Sequence, residues 1–188
     1  MLVGPDGVGK TSVARALLDI HHGPVAYVHF RPSPFSTLMS GPDEADFEAR
    51  EKARPNGSMV VGWLRALVSV VVFWVGYLAR VRPALRGGAL VVGDRWGYGY
   101  LAQPTALRFY GPERLGRFLV RVIPKPDVLV NLTAPVGVIE QRKRELTPEE
   151  IEAELALWSS LPIRGVIEID SGPDPQTVAR RIYDLAFP

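Results

Sequence analysis

The sequence predicts an α/β fold, with a parallel sheet covered on both faces by helices. Two observations carry this. Short apolar runs of strand length alternate with helical patterns along most of the chain, as in successive strand–helix–strand units. Near the start, Gly4-Pro5-Asp6-Gly7-Val8-Gly9-Lys10-Thr11 fits G-x-x-x-x-G-K-[ST] without departure, in the strand–loop–helix setting that this motif requires. A length of 188 residues, 47% hydrophobic and 22% charged, suits one soluble domain with a proper core, spanning 1–188.

The elements follow in order. Met1-Leu2-Val3 reads as the end of a strand and Ser12 to Ile20 as a helix. Only three residues precede Gly4, fewer than the usual 5–6 of a buried strand. The first strand is therefore short or the natural chain begins upstream, and the second reading is favoured. Ile20-His21-His22-Gly23-Pro24 reads as a helix stop, with Gly23 suited to a left-handed cap. Neighbouring helical residues point about 100° apart, so the histidine pair is not expected to share a metal. Val25 to Phe30 reads as a buried strand, with His29 a packed strand residue rather than a base. Prolines and glycines from Pro32 to Pro55 mark a loop-rich insertion, and Asp43 to Lys52 reads as a short helix inside it.

Val60 to Ala79 is apolar and carries no charge between Arg65 and Arg80. The run is shorter than the roughly 20 residues of a membrane span. The plainest expectation is a helix buried on most of its circumference. Contact with a partner or a membrane surface is the alternative, because a helix apolar all round at the edge of a small domain cannot hide every face. Ala89 to Gly93 is the next strand, ending at Asp94-Arg95. Helices are expected over Pro112–Val122 and from Pro135 to about Glu145, separated by a strand over Asp127–Leu132. Thr147-Pro148-Glu149-Glu150 reads as a capping box with proline at the first helical position. Val166–Ile169 is the last strand, and Pro175–Ala186 the closing helix.

The motif dictates the chemistry. Backbone N–H groups of Gly4, Asp6, Gly7, Val8 and Gly9, with the helix start at Lys10, Thr11 and Ser12, form a cradle for a polyphosphate. Lys10 is placed to reach the β- and γ-phosphates, and the Thr11 hydroxyl to hold Mg²⁺. The expected ligands are thus ATP and Mg²⁺. A strand-end carboxylate completes such a metal shell, and Asp94 is the candidate, with a turn cap as its plainer alternative. The net charge of +2 and pI of about 9.0 are explained by phosphate binding without nucleic acid. With no cysteine in the chain, disulfides, thiolate catalysis and Cys-based zinc sites are excluded. No secretory signal precedes the motif, which fits a cytoplasmic protein.

Together, the P-loop, Asp94-Arg95, Pro126-Asp127-Val128-Leu129-Val130-Asn131-Leu132 and the following Arg-rich helix resemble thymidylate kinases. Phe30-Arg31-Pro32 and Gln141-Arg142-Lys143-Arg144-Glu145-Leu146-Thr147-Pro148-Glu149-Glu150 are similar to the bacterial thymidylate-kinase-like subgroup. The resemblance implies a P-loop nucleoside monophosphate kinase fold in three layers, with five parallel strands. It also implies transfer of the γ-phosphoryl of ATP to a nucleoside monophosphate, with Mg²⁺. It places an acceptor and insertion region at about 31–88 and a lid at about 141–150. On this likeness Asp6 faces the acceptor's sugar, Arg31 and Arg95 grip its phosphate, and Trp96 offers a face to its base. Gly7 stands where some members carry a catalytic arginine, which passes that task to Arg142, Lys143 or Arg144. Arg142 and Arg144 lie about 200° apart on one helix, so one of them is expected to act and the other to be solvated.

The departures fall on the acceptor side. Trp96-Gly97-Tyr98-Gly99-Tyr100 follows Arg95, and the loop after Arg31 is proline-rich without Gly-Gly-Thr. Transfer from ATP to a nucleoside monophosphate, with dTMP foremost, is the leading reading. A sugar or lipid-linked acceptor is the second. A non-catalytic ATP-binding module, meeting a partner or membrane through 60–79, is the third. A homodimer is a further expectation.

Overall fold

The computed structural model describes residues 1–29, 59–94, 97–102, 113–142, 146–161, 163 and 165–187. The chain divides into two compact units. One comprises Met1–His29, Ala79–Trp96 and Pro126–Pro188, and the other Phe30–Leu78 and Gly97–Lys125.

The first unit is built on five parallel strands: β1 (Leu2–Val3), β2 (Val25–His29), β3 (Leu90–Asp94), β4 (Leu129–Thr133) and β5 (Val166–Asp170). Their spatial order is β2-β3-β1-β4-β5. Register is fixed by pairs such as Leu2 with Asp94, Leu2 with Val130 and Val3 with Asn131. β1 therefore lies between β3 and β4, where the strand order reverses and a crevice opens beyond the carboxyl ends. The helices here are α1 (Lys10–Ile20), α3 (Arg82–Arg86), α6 (Val136–Arg142), α7 (Pro148–Ser160) and α8 (Pro175–Ala186); α2 belongs to the second unit. The β1–α1–β2 and β4–α6–α7–β5 connections run in opposite directions across the sheet. Because parallel crossovers are right-handed, they leave their helices on opposite faces. α8 returns to pack on α1, and His21 and the Tyr183 hydroxyl are hydrogen-bonded at 3.1 Å. Leu2, Val8, Val13, Val130, Leu132, Ile139, Ile151 and Ile169 make one continuous core.

Boundaries moved modestly from those the sequence predicts. The Pro175–Ala186 helix agrees, and the capping box at Thr147 forms with both of its hydrogen bonds. The fourth strand begins at Leu129 rather than Asp127. Gly23 is not among the left-handed glycines; α1 stops instead when His21 turns extended, with φ −84° and ψ 125°. The expected helix over Asp43–Lys52 lies outside the described residues.

In the second unit, α2 (Met59–Gly76) packs on α5 (Glu113–Val122), with the short α4 (Gly99–Ala102) beside α5. Phe73, Tyr98, Tyr100, Leu119 and Ile123 are buried. A Cβ at Gly97 would displace the terminal methyl of Ile123 and stand 3.5 Å from the Phe73 ring, so a larger residue there requires Ile123 to shift. Burial raises the Tyr98 and Tyr100 phenol pKa values, the latter against an opposing hydrogen bond with Ser69. The Trp74 indole donates to the carbonyl of Val122 at 2.9 Å, tying α2 to the end of α5.

The expectation that this apolar helix is buried on most of its circumference is not met. Ala66, Ser69 and Phe73 point inward, whereas Leu64, Leu67, Val71, Trp74, Val75 and Leu78 are exposed. By length and composition alone Ala66–Arg86 could cross a bilayer, yet only 28% of its most apolar window is buried. A helix apolar all round can give only one stripe to a core as thin as this one.

Candidate active site

The loop after β1 depends on backbone that only glycine supplies easily. Gly4, Gly7 and Gly9 hold φ of 134°, 85° and 99°, in the region disfavoured for residues with a Cβ. At Gly4 a Cβ would also stand 2.5 Å from the carbonyl oxygen of Leu132. Between the glycines, Val8 is fully buried in the core and anchors the loop. α1 then opens at Lys10 with no side-chain cap and no acidic residue in its first turn. Unsatisfied N–H groups and the positive end of the helix dipole thus coincide. Thr11 and Ser12 are exposed on that turn.

Lys10 is buried at the base of the loop. Its Nζ donates to the carbonyls of Gly4 at 2.9 Å and Pro5 at 2.8 Å, and lies 3.5 Å from the Asp6 carboxylate. Asp94 closes β3, buried, and its Oδ2 accepts a hydrogen bond from the Tyr27 hydroxyl at 3.4 Å. Arg142 ends α6 and reaches the loop: its Nη1 donates to the Val8 carbonyl at 3.3 Å, and lies 3.2 Å from where a Cβ on Gly9 would stand. The predicted donor-side residues from Gly4 to Ser12 are therefore brought together with Arg142. Asp94 ends the strand paired directly with β1. The other predicted residues, Arg31, Arg95, Trp96 and Arg144, lie outside the described residues, as does the middle of the predicted lid, 143–145.

Four further residues support the loop or Asp94, through contacts that the sequence does not announce. The Ser171 hydroxyl, buried after β5, lies 2.6 Å from the Val8 carbonyl and 2.9 Å from that of Thr133. Glu154 on α7 accepts from the Asp6 amide at 3.3 Å. Asn131 donates to Glu168 at 3.2 Å, and its buried Oδ1, with no hydrogen-bond partner among the described residues, lies 3.4 Å from the Cβ position at Gly4. Tyr27 is the fourth, through Asp94. A hollow of about 440 Å³ opens beside Thr133, Leu155 and Asp170, but no residue of the loop lines it. The phosphate cradle, not this hollow, is the candidate site.

Among solved structures, the chain is similar to the thymidylate kinase of Candida albicans, with a TM-score of 0.66 and 16% sequence identity. The likeness covers 98% of this chain and 88% of that one. The fold is that of a P-loop nucleoside monophosphate kinase. No family model matches the chain, and neither does any curated protein sequence. At this identity the likeness speaks for architecture alone. The chemistry rests on the residues.

Those residues fit the ligands the fold implies. The glycine cradle and uncapped helix start suit a polyphosphate. A hydroxyl at Thr11 and a carboxylate at Asp94 are hard oxygen donors of the kind that suit Mg²⁺. Among the described residues there is no cluster of three or more His, Cys, Asp or Glu side chains able to hold a metal by themselves.

Proposed function

We propose that the chain is an ATP-dependent phosphotransferase moving the γ-phosphoryl group to a nucleoside monophosphate, with dTMP the leading acceptor. The observation that carries the reading is the buried Lys10 ammonium beneath an uncapped helix start and three left-handed glycines. Such a site has fixed positive charge and backbone donors aimed at an anion. The structural neighbour, a thymidylate kinase, supports the choice of acceptor, as does the resemblance in the sequence.

In this reaction an acceptor phosphate oxygen attacks Pγ, the bond from Pγ to the β–γ bridging oxygen breaks, and ADP leaves. The protein supplies position and charge rather than covalent help. Lys10 exchanges the carbonyls of Gly4 and Pro5 for β- and γ-phosphate oxygens. Amides of Gly7, Val8, Gly9 and Thr11 hold the β-phosphate. Thr11 and Asp94 would hold Mg²⁺, which when bound neutralises charge on the phosphates. Arg142 already lies against the loop through Val8, and turns its guanidinium to the transferring group. Arg31 and Arg95 bind the acceptor phosphate.

ADP release measured against a panel of acceptors tests this. Release dependent on dTMP or another nucleoside monophosphate is the expected result. Release only with sugars or lipid-linked alcohols keeps the ATP half of the reading and replaces the acceptor. Tight ATP binding with no acceptor-stimulated turnover overturns the enzyme reading.

A further inference from the structure

Two donors converge on one carbonyl inside the loop. The Val8 oxygen lies 2.6 Å from the Ser171 hydroxyl, and it accepts from Arg142 Nη1 at 3.3 Å. Ser171 is 3% exposed and Val8 is fully buried, so the shorter contact is dry and fixed. The longer one comes from the exposed end of α6, where the arginine has room to leave. We infer, on the phosphotransferase reading above, that Ser171 is a positioning residue: it holds the Val8–Gly9 peptide in place while Arg142 moves to the transferring phosphoryl group.

The Ser171 hydroxyl has one proton to donate, and two carbonyls stand within its reach, Val8 at 2.6 Å and Thr133 at 2.9 Å. Thr133 already accepts from the Ser171 amide at 2.7 Å, so the hydroxyl proton is directed to Val8. The Val8–Gly9 peptide is trans and planar, so its carbonyl and the Gly9 N–H point in opposite directions. Anchoring the oxygen on Ser171 therefore aims the Gly9 N–H the other way, at the anion that the cradle receives. Gly9 sits at φ 99°, where a residue without a Cβ meets little resistance to turning. Its own backbone does not lock the plane; the bonds to Val8 do.

The two donors are redundant until a γ-phosphate arrives. With ADP bound nothing draws Arg142 away, and either donor alone keeps the Val8 carbonyl satisfied. During transfer Arg142 turns to the phosphoryl group and Ser171 alone remains. Without Ser171 that turn strands a buried carbonyl, a cost met in the transition state and not in the ADP complex.

A double-mutant cycle read by calorimetric titration with Mg·ADP tests this without an acceptor. Ser171→Ala and Arg142→Ala should each weaken ADP binding by less than about threefold, and the double variant by about tenfold or more, since only the double variant leaves the Val8 carbonyl with neither donor. In turnover with ATP and a nucleoside monophosphate, Ser171→Ala should lower kcat about tenfold with the KM for ATP little changed. If Ser171 merely braced the ends of β4 and β5, Ser171→Ala alone would weaken ADP binding as much as the double variant does, and that result overturns the inference. So does additivity in the cycle, or an unchanged kcat in Ser171→Ala. Should the double variant fail to fold, exchange of the Gly9 amide in Ser171→Ala decides. Slow exchange with Mg·ADP and faster exchange with a non-hydrolysable Mg·ATP mimic is expected; equal rates overturn the role. An unaltered chain that binds Mg·ADP but turns over no acceptor removes the phosphotransferase reading, and the ADP cycle then decides the shared hold on Val8 by itself. A chain that binds no Mg·ADP removes both.

Discussion

Lys10 carries its charge at 8% exposure, held by two carbonyls and the neighbouring Asp6 carboxylate. A buried ammonium is tolerated only with such partners, and the same partners hold it ready for phosphate oxygens. Lys10→Ala removes the one side-chain cation that the motif places on the β- and γ-phosphates. Turnover should fall by a factor of the order of 10² or more, by analogy with loss of a transition-state donor, and ATP affinity should weaken with it. Steady-state rates beside calorimetric titration check this; an unchanged ATP affinity would remove the assigned role. The positions of Lys10 and Thr11 follow from motif spacing, and that of Asp94 from the apolar strand it ends. The sequence leaves Ser171 and Glu154 obscure for a plain reason: their hydrogen bonds to Val8 and Asp6 span 163 and 148 residues. No local spacing reports a contact of that range.

Helix starts show where local rules suffice. At α7, Thr147 accepts from the Glu150 amide at 3.3 Å while the Glu150 carboxylate accepts from the Thr147 amide at 2.8 Å. Thr147→Ala should cost about 1 kcal/mol, read as a lower urea midpoint at unchanged slope. At α8, Asp174 caps the amides of Gln176 and Thr177 and accepts from the Thr177 hydroxyl. Those bonds, the Thr177 hydroxyl first, lower its pKa below the ordinary 3.8. The unfolded chain therefore binds the proton more tightly. This contribution is present above pH 3.8 and is lost as pH falls through the lower, folded value. Asp174→Asn keeps an acceptor but cannot titrate, so its acid unfolding curve should be flatter below pH 3.8 than the parent's. Identical curves would show that the cap carries no pH dependence. The Thr147 box is legible in sequence because every partner lies within three residues, and the Asp174 cap is equally local. The exposure of α2 is not legible, because composition reports how apolar a helix is and says nothing of how much protein is available to cover it.

At the scale of the molecule, the five-strand order was legible only as a class. Alternating strands and helices imply a parallel sheet, but placing β1 between β3 and β4 takes hydrogen bonds such as those behind the Leu2–Asp94 and Val3–Asn131 pairs. That placement matters, since it sets the P-loop at the reversal of strand order, beside the end of β3 that carries Asp94. Arg142, Glu154 and Ser171 all reach the loop from within the unit built on the sheet. A non-hydrolysable Mg·ATP mimic should therefore stabilise the chain by linkage, by about 2.7 kcal/mol at a hundredfold excess over its dissociation constant. Hydrogen exchange should slow first in the P-loop, in α1 and around Ser171, with α2 and α5 changing less. Thermal shifts across a concentration series, with exchange measured at saturation, test both parts. Equal protection throughout α2 and α5 would mean that the phosphate cradle is coupled to the second unit as strongly as to its own sheet. No shift at any concentration would mean that the glycine loop holds no polyphosphate, and the kinase reading would fall with it.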